Sequence, residues 1–301
     1  KLIDMLTDLN DYSIGIEDVL KEHFDEENIV YWMAFQILMG NVDTQNRNVY
    51  LYSPLNSDIW YFIAWDNDGC LMRPEYELRN FSDQNSWEKG ISNYWGNILF
   101  QRCLKSRSFR EKLNDAILDL REYLNKDMLT SKIESYKNVL KPYLYLMPDA
   151  EYEPLTSEQY DQIAASLPDE IEKNYQLYLE SLETPMPFYI GVPTIDGDKL
   201  KFNWDVSYDL DAEDITYSVE VAGDYLFRDV IYQNTTLTVP EAEMDLPEAG
   251  QYFVRVRATN TSGKTQDAFD YYVTDEGKYY GMRCFYITED STVEEDDYEE
   301  G

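Results

Sequence analysis

The feature that most constrains this chain is a change of hydrophobic period at a proline-rich joint, Thr184-Pro185-Met186-Pro187. Before the joint, apolar residues recur at helical spacing; beyond it they alternate. A stretch patterned for a helix cannot bury the same side chains as a strand, so the two halves need separate cores. Proline has no N–H and disfavours the helical region for the residue before it, which makes the joint a stop for the helical half and a hinge. The expectation is a multidomain α+β chain: residues 1–185 mostly helical around one β-hairpin, 186–288 all-β, and 289–301 an acidic tail or linker. A length of 301 residues suits two domains, at roughly 100 to 200 residues each.

In the first half, Ile29, Val30, Trp32, Met33, Phe35, Ile37 and Leu38 nearly fill the run Asn28 to Met39, which reads as a buried helix ended by Gly40. Asn48 to Tyr52 and Ile59 to Ala64 are short and β-prone, and the turn-rich Ser53-Pro54-Leu55-Asn56-Ser57-Asp58 between them predicts a hairpin. Residues 97–125 have helical spacing with a break near Ser106 to Ser108. Asp127 reads as the cap of a further helix running to about Lys141 before Pro142. Thr156 with Gln159 forms a capping-box pattern opening a last stretch toward Leu182.

Beyond the joint, Leu200 to Trp204, Ile215 to Val221, Thr236 to Val239, Tyr252 to Ala258 and Phe269 to Val273 alternate between turns, the rhythm of a β-sandwich. Trp204, the run Tyr217 to Val221, and Leu246-Pro247-Glu248-Ala249-Gly250-Gln251-Tyr252 resemble the fibronectin type III pattern. That resemblance implies a seven-stranded sandwich in which Tyr252 ties its hydroxyl back to the chain. Trp204, Val219, Val221, Val254, Val256 and Ala258 would then face inward, and Arg255 and Arg257 outward. After Ile287, Glu289, Asp290, Glu294, Glu295, Asp296, Asp297, Glu299 and Glu300 occur without a base.

Composition removes several classes of function. With 59 acidic against 25 basic side chains, the net charge of -34 repels phosphate backbones and anionic lipid, so nucleic acid is not an expected partner. No run is apolar enough to predict a transmembrane segment, and no signal peptide opens the chain, so a leader is expected upstream. Cys70, Cys103 and Cys284 are too few and too scattered for a disulfide scaffold or a metal-ligand spacing. The single histidine, His23, lies among Glu22, Asp25, Glu26 and Glu27 and reads as a surface residue. Zinc hydrolases and histidine triads therefore lack their parts.

One ordered constellation carries chemistry. A polar loop, Asn41-Val42-Asp43-Thr44-Gln45-Asn46-Arg47-Asn48, follows the buried helix; the two strands come next, and then Trp65-Asp66-Asn67-Asp68-Gly69. Phosphoryl transfer needs a carboxylate that takes the proton of the attacking hydroxyl, and oxygen ligands that hold Mg²⁺ on the phosphates. Asp43 and Asn48 have the catalytic-loop spacing of protein kinases, and Asp66 ends the hairpin where kinases place their metal-binding aspartate. Singly, each of these residues also serves as a cap or turn former. Their order gives the pattern its weight.

The residues Asn41, Asp43, Asn48, Tyr50, Leu51, Tyr52, Trp60, Tyr61, Phe62, Ile63, Trp65, Asp66 and Asp68 resemble the signature of the CotH kinase family, atypical secreted kinases first associated with spore coats. The resemblance covers about residues 1–185 and departs at Ala64, where the family more often has proline. It implies a kinase-like C-lobe, with Asp43 as catalytic base, Asn48, Asp66 and Asp68 as ligands of Mg²⁺ or Mn²⁺, and Asn41 and Asn46 in lesser roles. It further implies ATP as phosphoryl donor, a protein substrate or cell-surface partner, and an extracellular or cell-surface location. Nothing before Asp43 reads as strands bearing a nucleotide-gripping loop and lysine, so the parent protein is expected to continue upstream and this chain alone to be inactive. A calcium loop at Asp66 is rejected, because Cys70 and Leu71 stand where a ligand and a glycine are needed. The alternatives are a non-catalytic surface or scaffold protein with a degenerate kinase-like fold and, more distantly, a glycosidase pair of Asp43 and Asp66.

Overall fold

Helix formation begins where the sequence concentrates its apolar side chains. The structure, a computed structural model, describes residues 1–45, 47–75, 87–274 and 277–295. It divides into two compact units: Lys1–Phe81 with Lys89–Leu179, and Ser82–Glu88 with Glu180–Gly301.

The first unit is helical. Its described elements are α1 (Leu2–Asn10), α2 (Ile16–His23), α3 (Glu26–Met39), the strands β1 (Tyr50–Tyr52) and β2 (Tyr61–Ile63), α4 (Ile98–Lys105), α5 (Arg107–Tyr123), α6 (Lys126–Leu144), α7 (Ser157–Ser166) and α8 (Glu170–Glu183). Helix α3 has no polar face: Ile29, Trp32, Met33, Ala34, Ile37 and Leu38 are all buried, as a central core helix requires. Asp25 caps it by accepting from the Asn28 N–H at 2.9 Å. Trp32 packs on Phe62 of β2 and Phe100 of α4, with ring centroids 4.7 and 5.7 Å apart. Strands β1 and β2 pair antiparallel, Leu51 opposite Phe62. The amide of Asn28 accepts from the Phe62 N–H at 2.6 Å and donates to its carbonyl at 3.1 Å. That side chain stands in for a neighbouring strand and moors the hairpin to α3.

Ser106 separates α4 from α5 and accepts from the Phe109 N–H, and the capping box of Thr156 and Gln159 is formed. Three local expectations need correction. The cap of α6 is Asn125, which accepts from Met128 N–H at 3.0 Å, while Asp127 sits in the first turn, where its charge favours the helix dipole. Pro142 lies inside α6, which ends at Leu144, because a proline so near the C-terminus removes little of the hydrogen-bond ladder. His23 is buried at 7% exposure, its Nε2 2.7 Å from an Asp8 carboxylate oxygen, because α1 packs on α2 and covers that ring.

The second unit is β-rich. A three-stranded sheet has the order β3 (Thr194–Asp196), β4 (Lys199–Asn203), β7 (Glu241–Asp245). The larger sheet runs β13 (Val293–Glu295), β12 (Met282–Ile287), β8 (Gly250–Asn260), β5 (Ile215–Ala222), β6 (Val230–Leu237), with β9 (Thr265–Asp267) also paired to β8. Leu200 and Phe202 from the first sheet meet Val219, Val221, Val254, Val256 and Phe285 from the second in one buried core. Trp204 and Ala258 join that core, and Tyr252 donates its hydroxyl to the Glu248 carbonyl at 2.9 Å. Arg255 and Arg257 pair with Glu220 and Asp267, at 2.6 and 2.7 Å.

The described residues hold more than the expected seven strands. Strands β3 to β8 and β12 build the facing sheets, and β9, β13 and the hairpin β10 (Tyr271–Thr274) with β11 (Gly277–Tyr280) are additions among the described residues. The expected strand at Thr236 to Val239 straddles the end of β6, which is an edge strand with little apolar alternation to mark it. Val293–Glu295 is no tail: it pairs with β12, Val293 opposite Ile287, and Arg283 binds Glu295 at 2.8 Å. Residues 296–301 of the expected tail lie outside the described residues.

Glu213 accepts from Ser262 N–H and Oγ at 2.7 and 2.6 Å and from Thr261. These bonds hold its carboxyl below its ordinary value of 4.5. A depressed carboxyl adds stability that is complete above the unfolded value and lost as pH falls through the folded one. Glu213→Gln is therefore expected to lower the melting temperature of the sandwich at neutral pH, with the difference from the parent vanishing in acid below pH 4.5. Thermal denaturation followed by circular dichroism across that range checks it.

Candidate functional site

The site is built on the C-terminus of α3. The last carbonyls of any helix lack partners within it and must find them elsewhere. Here Gly40, in the left-handed region at φ 61°, turns the chain so that its own N–H and that of Asn41 return to the Gln36 carbonyl. The Leu38 carbonyl accepts from Asn174 of α8 at 2.9 Å, and the Met39 carbonyl from Leu71 N–H at 2.8 Å. A side chain at position 40 is excluded twice, by that φ and by Asn174 Nδ2, which lies 2.7 Å from where a Cβ would stand. Arg73 completes the arrangement, donating to Asn174 at 2.7 Å and to the buried Glu170 at 3.1 Å. The loop leaving α3 and the turn leaving the hairpin are thus stitched to one helix end.

Buried amides join loop to turn. Asn67 Oδ1 accepts from Gln36 Nε2 at 3.0 Å and from Asn41 Nδ2 at 3.2 Å, and Asn41 Nδ2 also donates to Gln36 Oε1 at 3.0 Å. Gln36 and Asn41 are 0 and 1% exposed. Asn41 also caps the short turn Val42–Thr44 by accepting from Asp43 N–H. From the far side, Asn93 Nδ2 donates to the Val42 carbonyl at 3.2 Å, and the Tyr94 hydroxyl meets Thr44 Oγ1 at 3.0 Å. Burial drives the Tyr94 hydroxyl well above its usual range.

This framework sets Asp43 against the turn that begins at Asp66. A Cβ on Gly69 would stand 3.1 Å from both Asp43 Oδ2 and Asn41 Oδ1, so the glycine lets the carboxylate close on the turn. Asp66 and Asn48 both adopt left-handed backbones, at φ 50° and 51°. Asp43, Asp66 and Asp68 are exposed, and none of their carboxylates forms an ion pair or hydrogen bond among the described residues. Asn48 is half-buried, and no hydrogen bond joins it to Asp66 or Asp68 among the described residues. Asn46 lies outside the described residues.

The sequence pattern left Gln36, Asn67, Asn93 and Tyr94 unassigned. Only Gln36 carries a signal, a lone amide inside an apolar helical run. Cys70 follows the turn, and burial, opposed by a hydrogen bond from Asn41, pushes its thiol up to about 12. All three cysteines are free. Among the described residues no group of three His, Cys, Asp or Glu side chains is placed to hold a metal ion, and no helix is long and apolar enough to cross a membrane.

Fold and site together define a two-part α+β protein with exposed carboxylates at the C-terminal end of a buried helix. The chain belongs to the CotH kinase protein family, which matches residues 1–178. No curated protein matches it. Similar solved structures include the twitchin kinase region from C. elegans (Fn31-NL-kin-CRD-Ig26), 15% identical with a TM-score of 0.24 over 32% of this chain and 20% of that one. Another is surface layer protein SbsC, domains 1-6, 14% identical with a TM-score of 0.17 over 91% of this chain and 38% of that one. The chain therefore spans well under half the length of either, and likeness at this level fixes no shared fold.

The amides and the carboxylates differ in what they stabilise. Asn67→Ala orphans the Gln36 donor and should destabilise the first unit by about 1–3 kcal/mol. Asp68→Ala removes an exposed, unpartnered group and should change stability by no more than about 0.5 kcal/mol. Urea denaturation of both variants checks the contrast.

Proposed function

We propose that the first unit is the base-and-metal portion of an atypical protein kinase, a kinase-like C-lobe that transfers the γ-phosphoryl group of ATP to protein hydroxyls. The observation that carries this reading is the closure of the Asp43 carboxylate on the Asp66–Gly69 turn, with Asp43, Asp66 and Asp68 all without partners among the described residues. Carboxylates without structural partners, held in place by a buried amide network, suit catalysis better than folding. Asp43 has the role of base: it orients the acceptor hydroxyl and takes its proton.

The donor set also fits a divalent ion. Asp66, Asp68 and Asn48 offer only oxygen, the choice of Mg²⁺ or Mn²⁺. Two carboxylates and an amide are too few to enclose Mg²⁺, which is bound by one or two carboxylates together with substrate phosphates and water. When bound, the ion would neutralise phosphate charge. Asp66 opens the turn with a left-handed backbone, and its side chain makes no cap bond that would occupy its oxygens.

The second unit we assign to the fibronectin type III-like sandwiches. Support comes from the β3-β4-β7 sheet facing β6-β5-β8-β12, and from the Tyr252 hydroxyl bond across the corner before β8. Such sandwiches serve as spacers and adhesion modules, which agrees with a secreted or cell-surface protein acting on a protein partner.

Transfer from radiolabelled ATP, in Mg²⁺ and in Mn²⁺, tests the reading on this chain and on one extended at its N-terminus. Asp66→Ala and Asp43→Asn should each lower transfer by about a hundredfold or more, with melting temperatures unchanged. Activity indifferent to both substitutions would remove the site assignment. An extended chain that neither transfers nor binds nucleotide would leave the non-catalytic binding reading in its place.

A further inference from the structure

Helix α6 buries one side chain, Leu129, and is held to the first unit along one flank. There Lys141 pairs with Asp161 of α7, and Lys126 with Asp169 just beyond it. Its other flank is apolar and lies open. Tyr136, Val139, Leu140 and Tyr143 are 64, 62, 52 and 66% exposed, and their spacing sets them on one face of the helix. Leu146 and Met147, equally exposed, follow just past the helix end. A contiguous apolar stripe of this kind on a soluble chain marks a surface that another chain covers.

The stripe is its own complement. Tyr136 stands three residues before Val139, and Tyr143 three residues after Leu140. Two copies laid antiparallel across a two-fold axis between Val139 and Leu140 therefore set Tyr136 of each beside Tyr143 of the other. Charge follows the same axis. Lys132, one turn before Tyr136 on that face, is exposed, and so are Asp149 and Glu151 past the far end; none of the three forms an ion pair among the described residues. Reversal about the axis carries position 132 to position 147, next to those acids. Net charge selects this helix as well. In a chain with 59 acidic and 25 basic side chains, α6 carries four lysines against Asp127 and Glu134, so two copies meeting there escape the repulsion that opposes contact elsewhere. We infer that α6 is a homodimer interface, the stripe of one copy packed antiparallel on the stripe of a second. This pairing does not rest on the kinase reading.

Sedimentation velocity of the full chain, from nanomolar to high micromolar concentration, tests the pairing. The chain should form a dimer, and Leu140→Glu should weaken its association by about tenfold or more. The melting temperature of that variant should not change, since Leu140 is half exposed. Lys132→Glu should also weaken the dimer, as should Asp149→Lys combined with Glu151→Lys, because each sets like charges together at both ends of an antiparallel pair. Mixing these two variants should restore association as a dimer of one copy of each, since unlike charges then meet at both ends. A chain that stays monomeric throughout the range, a dimer indifferent to Leu140→Glu, or charge variants that do not recover on mixing would each overturn the inference.

Discussion

Everything near the carboxylates depends on how α3 ends. A helix whose last turns are buried leaves its final carbonyls away from water, where unpaired acceptors cost about 1–3 kcal/mol each. The chain meets that demand with groups from elsewhere: backbone N–H from Gly40, Asn41 and Leu71, and the amide of Asn174. Because Leu71 follows the Asp66–Gly69 turn and Asn41 opens the Asp43 loop, satisfying the helix end also fixes the site. Stability and placement come from the same bonds.

The division of labour between amides and carboxylates follows from charge. An amide buries with two partners at little net cost, whereas an ionised carboxylate buried alone is strongly penalised. Gln36 and Asn41 accordingly lie inside, with Asn67 meeting both, while Asp43, Asp66 and Asp68 remain on the open side. With 59 acidic against 25 basic side chains most carboxylates lack a basic partner, so what distinguishes these three is the buried amide frame that holds their loop and turn. Some bases are engaged elsewhere, as Arg73 is with Glu170 and Arg255 with Glu220.

What could be read from the sequence was whatever repeats or alternates. The apolar run of α3, the Thr156–Gln159 cap and the inward valines of β5 and β8 each follow a short-range rule that the structure obeys. The ordered motif also placed Asp43 with the turn, since a hairpin must return near its start. Long-range choices were not legible. His23 looks exposed among its acidic neighbours, and only α1 packing over it decides otherwise. Asn67 reads as one more turn residue until Gln36 is seen opposite. The edge strands β6 and β13 lack regular apolar alternation, so the pattern could not announce them.

Cys70 follows from the same geometry. Burial beside the turn, opposed by a hydrogen bond from Asn41, raises its thiol from 9.0 to about 12 and so keeps the thiolate scarce at neutral pH. The nucleophilic form governs oxidation and alkylation, so the sulfur beside the carboxylates stays inert while the loop and turn hold together. Burial, without a disulfide, thus protects an unpaired thiol that lies next to exposed acids.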